Sequence, residues 1–173
     1  MSERPLRVAV TGTPGTGKST ATGLLADEYE VIHLNDLIKS DEKFWTTRDP
    51  ERGSLVADIE AITAHLGDWS GILDSHLSHL FTVDRVVVLR CAPGVLEDRL
   101  RERGESREKA AENAEAEALD VVLSEAVAEH GLDRVYEVDA TGMTPEAVAG
   151  AIADVVEGRR PPSAGTVDFT DYL

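Results

Sequence analysis

One short stretch constrains this chain more than any other. Gly12-Thr13-Pro14-Gly15-Thr16-Gly17-Lys18-Ser19 has the spacing G-x-x-x-x-G-K-[ST]. The apolar run Leu6-Arg7-Val8-Ala9-Val10 precedes it and reads as a buried strand. Thr20 to Glu28 follows and reads as a helix with Ala21, Leu24 and Leu25 on one face. Strand, glycine-rich turn and helix in that order are the context that makes the spacing a phosphate-binding loop. The glycines let the backbone curl until several N–H groups converge on an anion. The helix N-terminus adds the positive end of its dipole. Lys18 is expected to reach the β- and γ-phosphates of a nucleoside triphosphate, Ser19 to bind Mg²⁺, and Thr20 to offer a second hydroxyl beside it.

The rest of the chain alternates strand and helix signals. Val31-Ile32-His33-Leu34 reads as a second strand, and Asn35 could cap a short helix through Lys39. Asp41 to Gly53 is polar and irregular, with Arg48 and Arg52 in it. Ser54 is placed as the cap of a helix to about His65. Ile72-Leu73 is a short strand ending at Asp74, and Val86-Val87-Val88-Leu89 is apolar throughout, as a parallel strand covered on both faces should be. Pro93 opens a helix through Arg103 that Gly104 closes. Ser106 begins a helical stretch to about Glu129, Tyr136-Glu137-Val138 is a last strand, and Thr144-Pro145 starts a final helix to about Glu157. Five strands with intervening helices predict an α/β fold, a doubly wound parallel sheet.

At 173 residues one domain is expected, over about 1–160, followed by an acidic tail at 161–173. No run is long enough for a membrane span, and the first residues lack the apolar stretch of a signal peptide, so a cytoplasmic protein without membrane contact is expected. The single cysteine, Cys91, excludes an internal disulfide and reads as a packed, inert thiol. Acids outnumber bases 33 to 17, for a net charge of −16. Lys18, Lys39, Lys43 and Lys109 are the only lysines. Two readings stand: a protein of a high-salt cytoplasm, where ions screen the self-repulsion, or an ordinary acidic enzyme. Either surface argues against direct sequence-specific nucleic-acid binding.

Gly71-Ile72-Leu73-Asp74 is an apolar strand ending in an acid. Beside a phosphate loop such an acid holds Mg²⁺, directly or through water; the alternative is a loop-capping Asp. His76, two residues on, is either a neutral imidazole that orients water or the γ-phosphate, or a lone surface histidine. His79 reads as a packing or surface residue, and a Zn²⁺ site from Asp74, His76 and His79 is disfavoured because the acid already serves Mg²⁺. Arg99, Arg101, Arg103, Arg107 and Lys109 flank Gly104. They either pair with Glu97, Glu102 and Glu105 or close over the charge of a phosphoryl group in transfer. No Asn-Lys-x-Asp guanine-reading motif is present. A small chain with room for a phosphate acceptor between the second and third strands fits a nucleoside-monophosphate kinase.

Residues 6 to 157 resemble the adenylate kinase isoenzyme 6 family, adenylate-kinase-like assembly factors of the small ribosomal subunit. The resemblance rests on Gly12 to Thr20, on Asp74-Ser75-His76-Leu77-Ser78-His79-Leu80, on Val88-Leu89-Arg90 with Leu96 and Arg99-Leu100-x-x-Arg103-Gly104, and on Glu112-Asn113-Ala114-Glu115-Ala116-Glu117. It implies a P-loop, adenylate-kinase-like fold with an acceptor lobe at about 35–65 and a lid at about 99–110. It implies ATP held by Gly12, Gly15, Thr16, Gly17, Lys18, Ser19 and Thr20, with Arg99 from the lid and Thr141 from the 139–142 stretch beside the adenine. Lys18, Asp74, His76 and Arg103 take the catalytic positions, and Ser19 and Asp74 hold Mg²⁺. Asn35 and Lys39 meet AMP or a related nucleoside monophosphate, with Lys39 where related kinases carry arginine. Adenylate kinase and ATPase activities are implied, with a ribosomal protein of the subunit platform as partner, in a monomeric archaeal protein of halophilic type. A different small-molecule kinase on the same fold, or an ATPase switch that loads the ribosomal protein, is the alternative. Val167, Phe169, Tyr172 and Leu173 give the tail apolar points that dock either on the protein itself or on that partner.

Overall fold

In a computed structural model that describes residues 6–48 and 55–173, five parallel strands form the central sheet. They are β1 (Arg7–Thr11), β2 (Val31–His33), β5 (Gly71–Asp74), β6 (Arg85–Arg90) and β7 (Val135–Asp139). Their order across the sheet is β2-β5-β1-β6-β7. Two further strands, β3 (Trp45–Arg48) and β4 (Leu55–Ala57), pair antiparallel as a separate ribbon. The helices are α1 (Lys18–Gly23), α2 (Leu34–Ser40), α3 (Ile59–Leu66), α4 (Pro93–Glu102), α5 (Arg107–Ala118), α6 (Val121–His130) and α7 (Pro145–Val156).

Both faces of the sheet are covered, which is why its strands read as unbroken apolar runs. Val8, Val10, Val87, Leu89 and Val138 pack with Ala21 of α1, Leu25 just past its end and Ile152 of α7 on one face. Ala9, Leu73, Val86 and Val88 pack with Leu34 of α2, Ile62 of α3 and Leu123 of α6 on the other. The chain leaves central β1 between its neighbours β5 and β6. That crevice at the strand ends is where doubly wound sheets bind ligands, because the connections on either side diverge there.

Several boundaries differ from the sequence reading. The helix placed from Ser54 starts only at Ile59, where the Asp58 side chain accepts from Ala61 N at 3.1 Å; β4 occupies the preceding residues, and Ser54 and Arg52 lie outside the described residues. Asn35 does not cap α2 but lies inside it, and His33 takes the cap position without a side-chain bond. The first helix ends at Gly23, a weak helix position, and continues as turns such as Leu25 N to Thr22 O. The stretch from 106 to 129 is two helices. Asp120 sits at φ 58, and the carboxylate of Asp120 and the carbonyl of Glu117 both accept from Arg90. An aspartate tolerates that left-handed turn better than most residues, and a buried arginine that claims these oxygens overrides local helix propensity. Thr144 caps α7 as expected, its hydroxyl accepting from Ala147 N at 3.1 Å.

The tail lies on the fold. Glu137 N donates to Ser163 O at 2.7 Å and Ser163 N to Val135 O at 2.9 Å, so the chain runs briefly parallel to β7. Among the described residues no helix is long and apolar enough to cross a membrane.

Candidate active site

The loop between β1 and α1 is shaped by what packs beneath it. Gly15 has φ +94, and a Cβ there would lie 2.9 Å from Leu96 Cδ1 and 3.1 Å from Leu100 Cδ2. Helix α4 therefore rests against the loop backbone itself, a contact that only glycine admits. Arg99 on the same helix points a guanidinium at Gly15 O, 3.4 Å away.

Lys18 is buried at the base of the loop. Its Nζ donates to Gly12 O at 2.9 Å and Thr13 O at 3.1 Å, with Thr16 Oγ1 at 3.4 Å. Burial pushes the ammonium down to about 8; Asp74 and Glu117 oppose the shift, and Arg103 adds to it.

Asp74 ends β5, in register with Val10 on β1 and with His33 on β2. Its Oδ2 accepts from Ser19 Oγ at 2.9 Å and from His33 Nδ1 at 2.7 Å, and Thr22 Oγ1 lies 3.2 Å away. Its other oxygen, Oδ1, is buried with no hydrogen-bond partner among the described residues. A buried carboxylate oxygen without a partner is costly unless something fills the position. A hard oxygen pair, Asp74 and the Ser19 hydroxyl beside a phosphate loop, fits Mg²⁺, which takes few protein ligands and keeps waters and phosphates.

His76 stands at the mouth of the site. Burial, with help from Lys18 and His79, pushes its imidazole down to about 4, so it is neutral at working pH. His79 is deeply buried instead. One ring nitrogen meets Thr11 Oγ1 at 2.7 Å, the other Glu125 Oε2 at 2.8 Å, and its carbonyl lies 2.7 Å from His130 Nε2. Both nitrogens are committed to packing, which leaves no ring lone pair for Zn²⁺.

Two clefts open from the loop. The first, about 570 Å³, is lined by Pro14 to Thr20, by Arg99 and Arg103, and by Ala140, Met143 and Val148. The second, about 970 Å³, is lined by Thr13, Ile38 and Lys39 on one side and by Lys109, Asn113 and residues of α5 and α6 on the other. Pro14, Asn35, His76 and Arg103 line both, so the clefts meet there. Arg101 and Arg107 line neither. Thr141 is also outside the first cleft: its hydroxyl accepts from Ala92 N at 2.8 Å, and Ala140 and Met143 form the wall instead.

The sequence reading missed His33, Thr22, and the buried pair Arg90 and Glu117 behind the loop. A polar residue closing an apolar strand was a signal for His33. Glu117 stood only within the Glu112 to Glu117 stretch that carries the resemblance, and nothing local gave it a place at the loop, since it lies 104 positions from Thr13, whose hydroxyl donates to it.

A parallel sheet of this order, with a phosphate loop after its central strand and a strand-end acid facing the loop serine, defines a P-loop NTPase fold of the adenylate-kinase-like type. The AAA domain family is matched over residues 8–120. A "Putative adenylate kinase" of Natronomonas pharaonis is 59% identical over 169 residues, covering 97% of this chain and 100% of that one. Proteins of the same description from Halobacterium salinarum and Methanothermobacter thermautotrophicus are 55% and 47% identical over 170 residues, covering 97% and 96% of this chain and 100% and 98% of theirs. The chain belongs to this archaeal adenylate-kinase-like family. Among solved structures, a gluconokinase from Sinorhizobium meliloti superposes with TM-score 0.57 at 17% identity, covering 91% of this chain and 95% of that one. A deoxyadenosine kinase from M. mycoides with bound dATP superposes with TM-score 0.52 at 15% identity, covering 88% and 100%. These likenesses concern the fold.

Proposed function

We propose that the protein is a Mg·ATP-dependent nucleoside-monophosphate kinase of the adenylate kinase type, ATP + AMP = 2 ADP, that also hydrolyses ATP when water takes the acceptor's place. The observation that carries this reading is the meeting of two clefts at Pro14, Asn35, His76 and Arg103. A donor and an acceptor placed in them face each other across the phosphate loop.

The loop N–H groups and Lys18 bind the β- and γ-phosphates; the ammonium leaves the carbonyls of Gly12 and Thr13 for phosphate oxygens, which hold it charged. Thr16 and Thr20 complete the loop's polar lining, and the 139–142 stretch passes beside the adenine. Ser19 and Asp74 would hold Mg²⁺, which supplies neutralisation of the phosphate charge when bound. Lys39, with Asn35 nearby, grips the acceptor phosphate as a point charge, more loosely than a bidentate arginine would. An acceptor phosphate oxygen attacks the γ-phosphorus, the bond to the β-phosphate oxygen breaks, and ADP leaves with that electron pair. Arg99 on α4 and Arg103 at its C-terminal end, in the stretch that serves as lid, stabilise the spread of charge. Neutral His76 orients the attacking oxygen by a hydrogen bond without adding repulsion against Lys18.

A second reading has its own support. Glu105, Glu112, Glu115 and Glu125 line the larger cleft, an acidic wall better suited to a cationic polypeptide than to a monophosphate. It favours an ATPase switch that loads a basic ribosomal protein of the small-subunit platform, the assembly role implied by the isoenzyme 6 resemblance. Turnover in high KCl with AMP, GMP, CMP, UMP or no acceptor, resolving ADP from inorganic phosphate, separates the two. Formation of two ADP per ATP only with AMP is expected. Phosphate release indifferent to every acceptor would overturn the kinase reading in favour of the switch.

A further inference from the structure

Behind the phosphate loop lies a chain of buried charges that the proposed reaction does not use. Arg90, the last residue of β6, is 0% exposed, and Glu117 and Glu137 beside it are 2% and 3% exposed. Arg90 Nε donates to Glu117 Oε1 at 3.2 Å, and its Nη1 donates to Glu137 Oε2 at 2.6 Å. Its Nη2 donates to the Glu117 carbonyl at 2.9 Å and to Asp120 Oδ1 at 2.6 Å.

Each glutamate passes the contact on. Glu117 Oε1 accepts from the Thr13 hydroxyl of the loop at 3.1 Å, and Oε2 accepts from Cys91 N at 2.8 Å. Thr13 is also a residue whose carbonyl holds Lys18. Glu137 Oε1 faces the other way and accepts from Thr166 N at 2.8 Å, Thr166 Oγ1 at 2.9 Å and Val167 N at 3.3 Å. Phe169 stacks its ring 5.3 Å from the Arg90 guanidinium carbon. Tyr172 OH donates to Glu97 on α4, the helix under Gly15.

One buried cation against two buried carboxylates, with the partly exposed Asp120 as a third partner, leaves an excess of negative charge that hydrogen-bond donors balance. For Glu137 the tail supplies those donors. Without them Glu137 rehydrates, Arg90 redistributes over its remaining partners, and the oxygen of Glu117 that holds Thr13 moves with it. We propose that Arg90 and Glu117 are positioning residues for the phosphate loop, and that the tail, through the Thr166 and Val167 donors to Glu137 and the Phe169 ring on Arg90, sets the affinity of that loop for nucleoside triphosphate. The coupling rests on the reading of the loop as the ATP site.

The test uses the full chain. Thr166→Pro removes two of the tail's three donors to Glu137, and Thr166→Ser retains them. Two quantities are read: amide hydrogen exchange over residues 12–19 of the nucleotide-free protein, and the Kd for Mg²⁺ with a non-hydrolysable ATP analogue. Thr166→Pro is expected to speed loop exchange and weaken the Kd by about fivefold each, raising KM for ATP while kcat changes less than about twofold. Thr166→Ser is expected to match wild type. In a Glu117→Gln background, Thr166→Pro is expected to have little further effect, because coupled residues are non-additive. Phe169→Ala, expected to shift both readouts the same way, carries the test should Thr166→Pro fail to fold. Unchanged exchange and Kd in the tail variants, with wild type binding the analogue, would overturn the coupling alone. Equal effects with and without Glu117→Gln would overturn the route through Glu117. Failure of wild type to bind the analogue would overturn the ATP site itself.

Discussion

Lys18 is a charge that the fold keeps in reserve. Its ammonium is buried against loop carbonyls and its pKa lowered to about 8, so a triphosphate offers it better partners than the protein does. Lys18→Ala is expected to remove about 3 kcal/mol of transition-state stabilisation, roughly a hundredfold in turnover at saturating Mg·ATP; near-wild-type turnover would sink the assignment of the loop. His79 is a different kind of histidine. Burial holds its pKa below the usual 6.5, against the pull of Glu125. The folded state keeps it neutral while the unfolded state takes up a proton below that pH. Its contribution to stability is therefore full above pH 6.5 and declines as the pH falls further. Melting temperatures of wild type and His79→Gln between pH 7 and pH 5 check this, with a smaller decline expected in the variant.

At the scale of elements, the contact between α4 and the phosphate loop is the joint on which the site depends. Gly15 and Gly17 share φ +94, but a Cβ meets Leu96 and Leu100 at Gly15 and nothing within 4 Å at Gly17. Gly17→Ala thus carries only the backbone term, about 1 kcal/mol or more. Gly15→Ala adds overpacking, and should cost at least about 1 kcal/mol beyond it. Urea midpoints of the two variants measure the difference, and equal losses would mean that α4 yields freely. The break at Asp120 belongs to the same scale. It turns α5 away from α6 so that Glu117 and Asp120 both reach Arg90, which no helical periodicity encodes.

Over the whole molecule, charge dominates. A net of −16 sets surface carboxylates against each other, and the exposed pairs found, such as Arg159 with Asp154 at 3.0 Å, relieve little of it. Raising KCl from about 0.1 M to about 2 M should lift the melting temperature by about 5 °C or more as screening shortens the range of repulsion. A flat melting temperature over that range would remove the high-salt reading. The tail contributes at this scale as well. Of its two expected docking places it takes the protein's own surface, beside β7 and over Arg90.

The phosphate loop, the strand-end acid Asp74 and the five-strand alternation were legible in residue order, because each depends on spacing within one turn or one strand. Sheet order was not legible: β5 lies between β2 and β1, and strands that are all apolar can pair in many orders. What only the tertiary structure decided is every relation across long separations. His33 meets Asp74 because β2 and β5 pair in one register out of several. Ser54 and Asn35 misled as caps because many polar residues can end a helix, and packing selects which one does. Arg90 reads locally as the end of an apolar strand. It becomes a hub only when α5, β7 and the tail close on it, since a buried guanidinium must collect its partners wherever the chain supplies them.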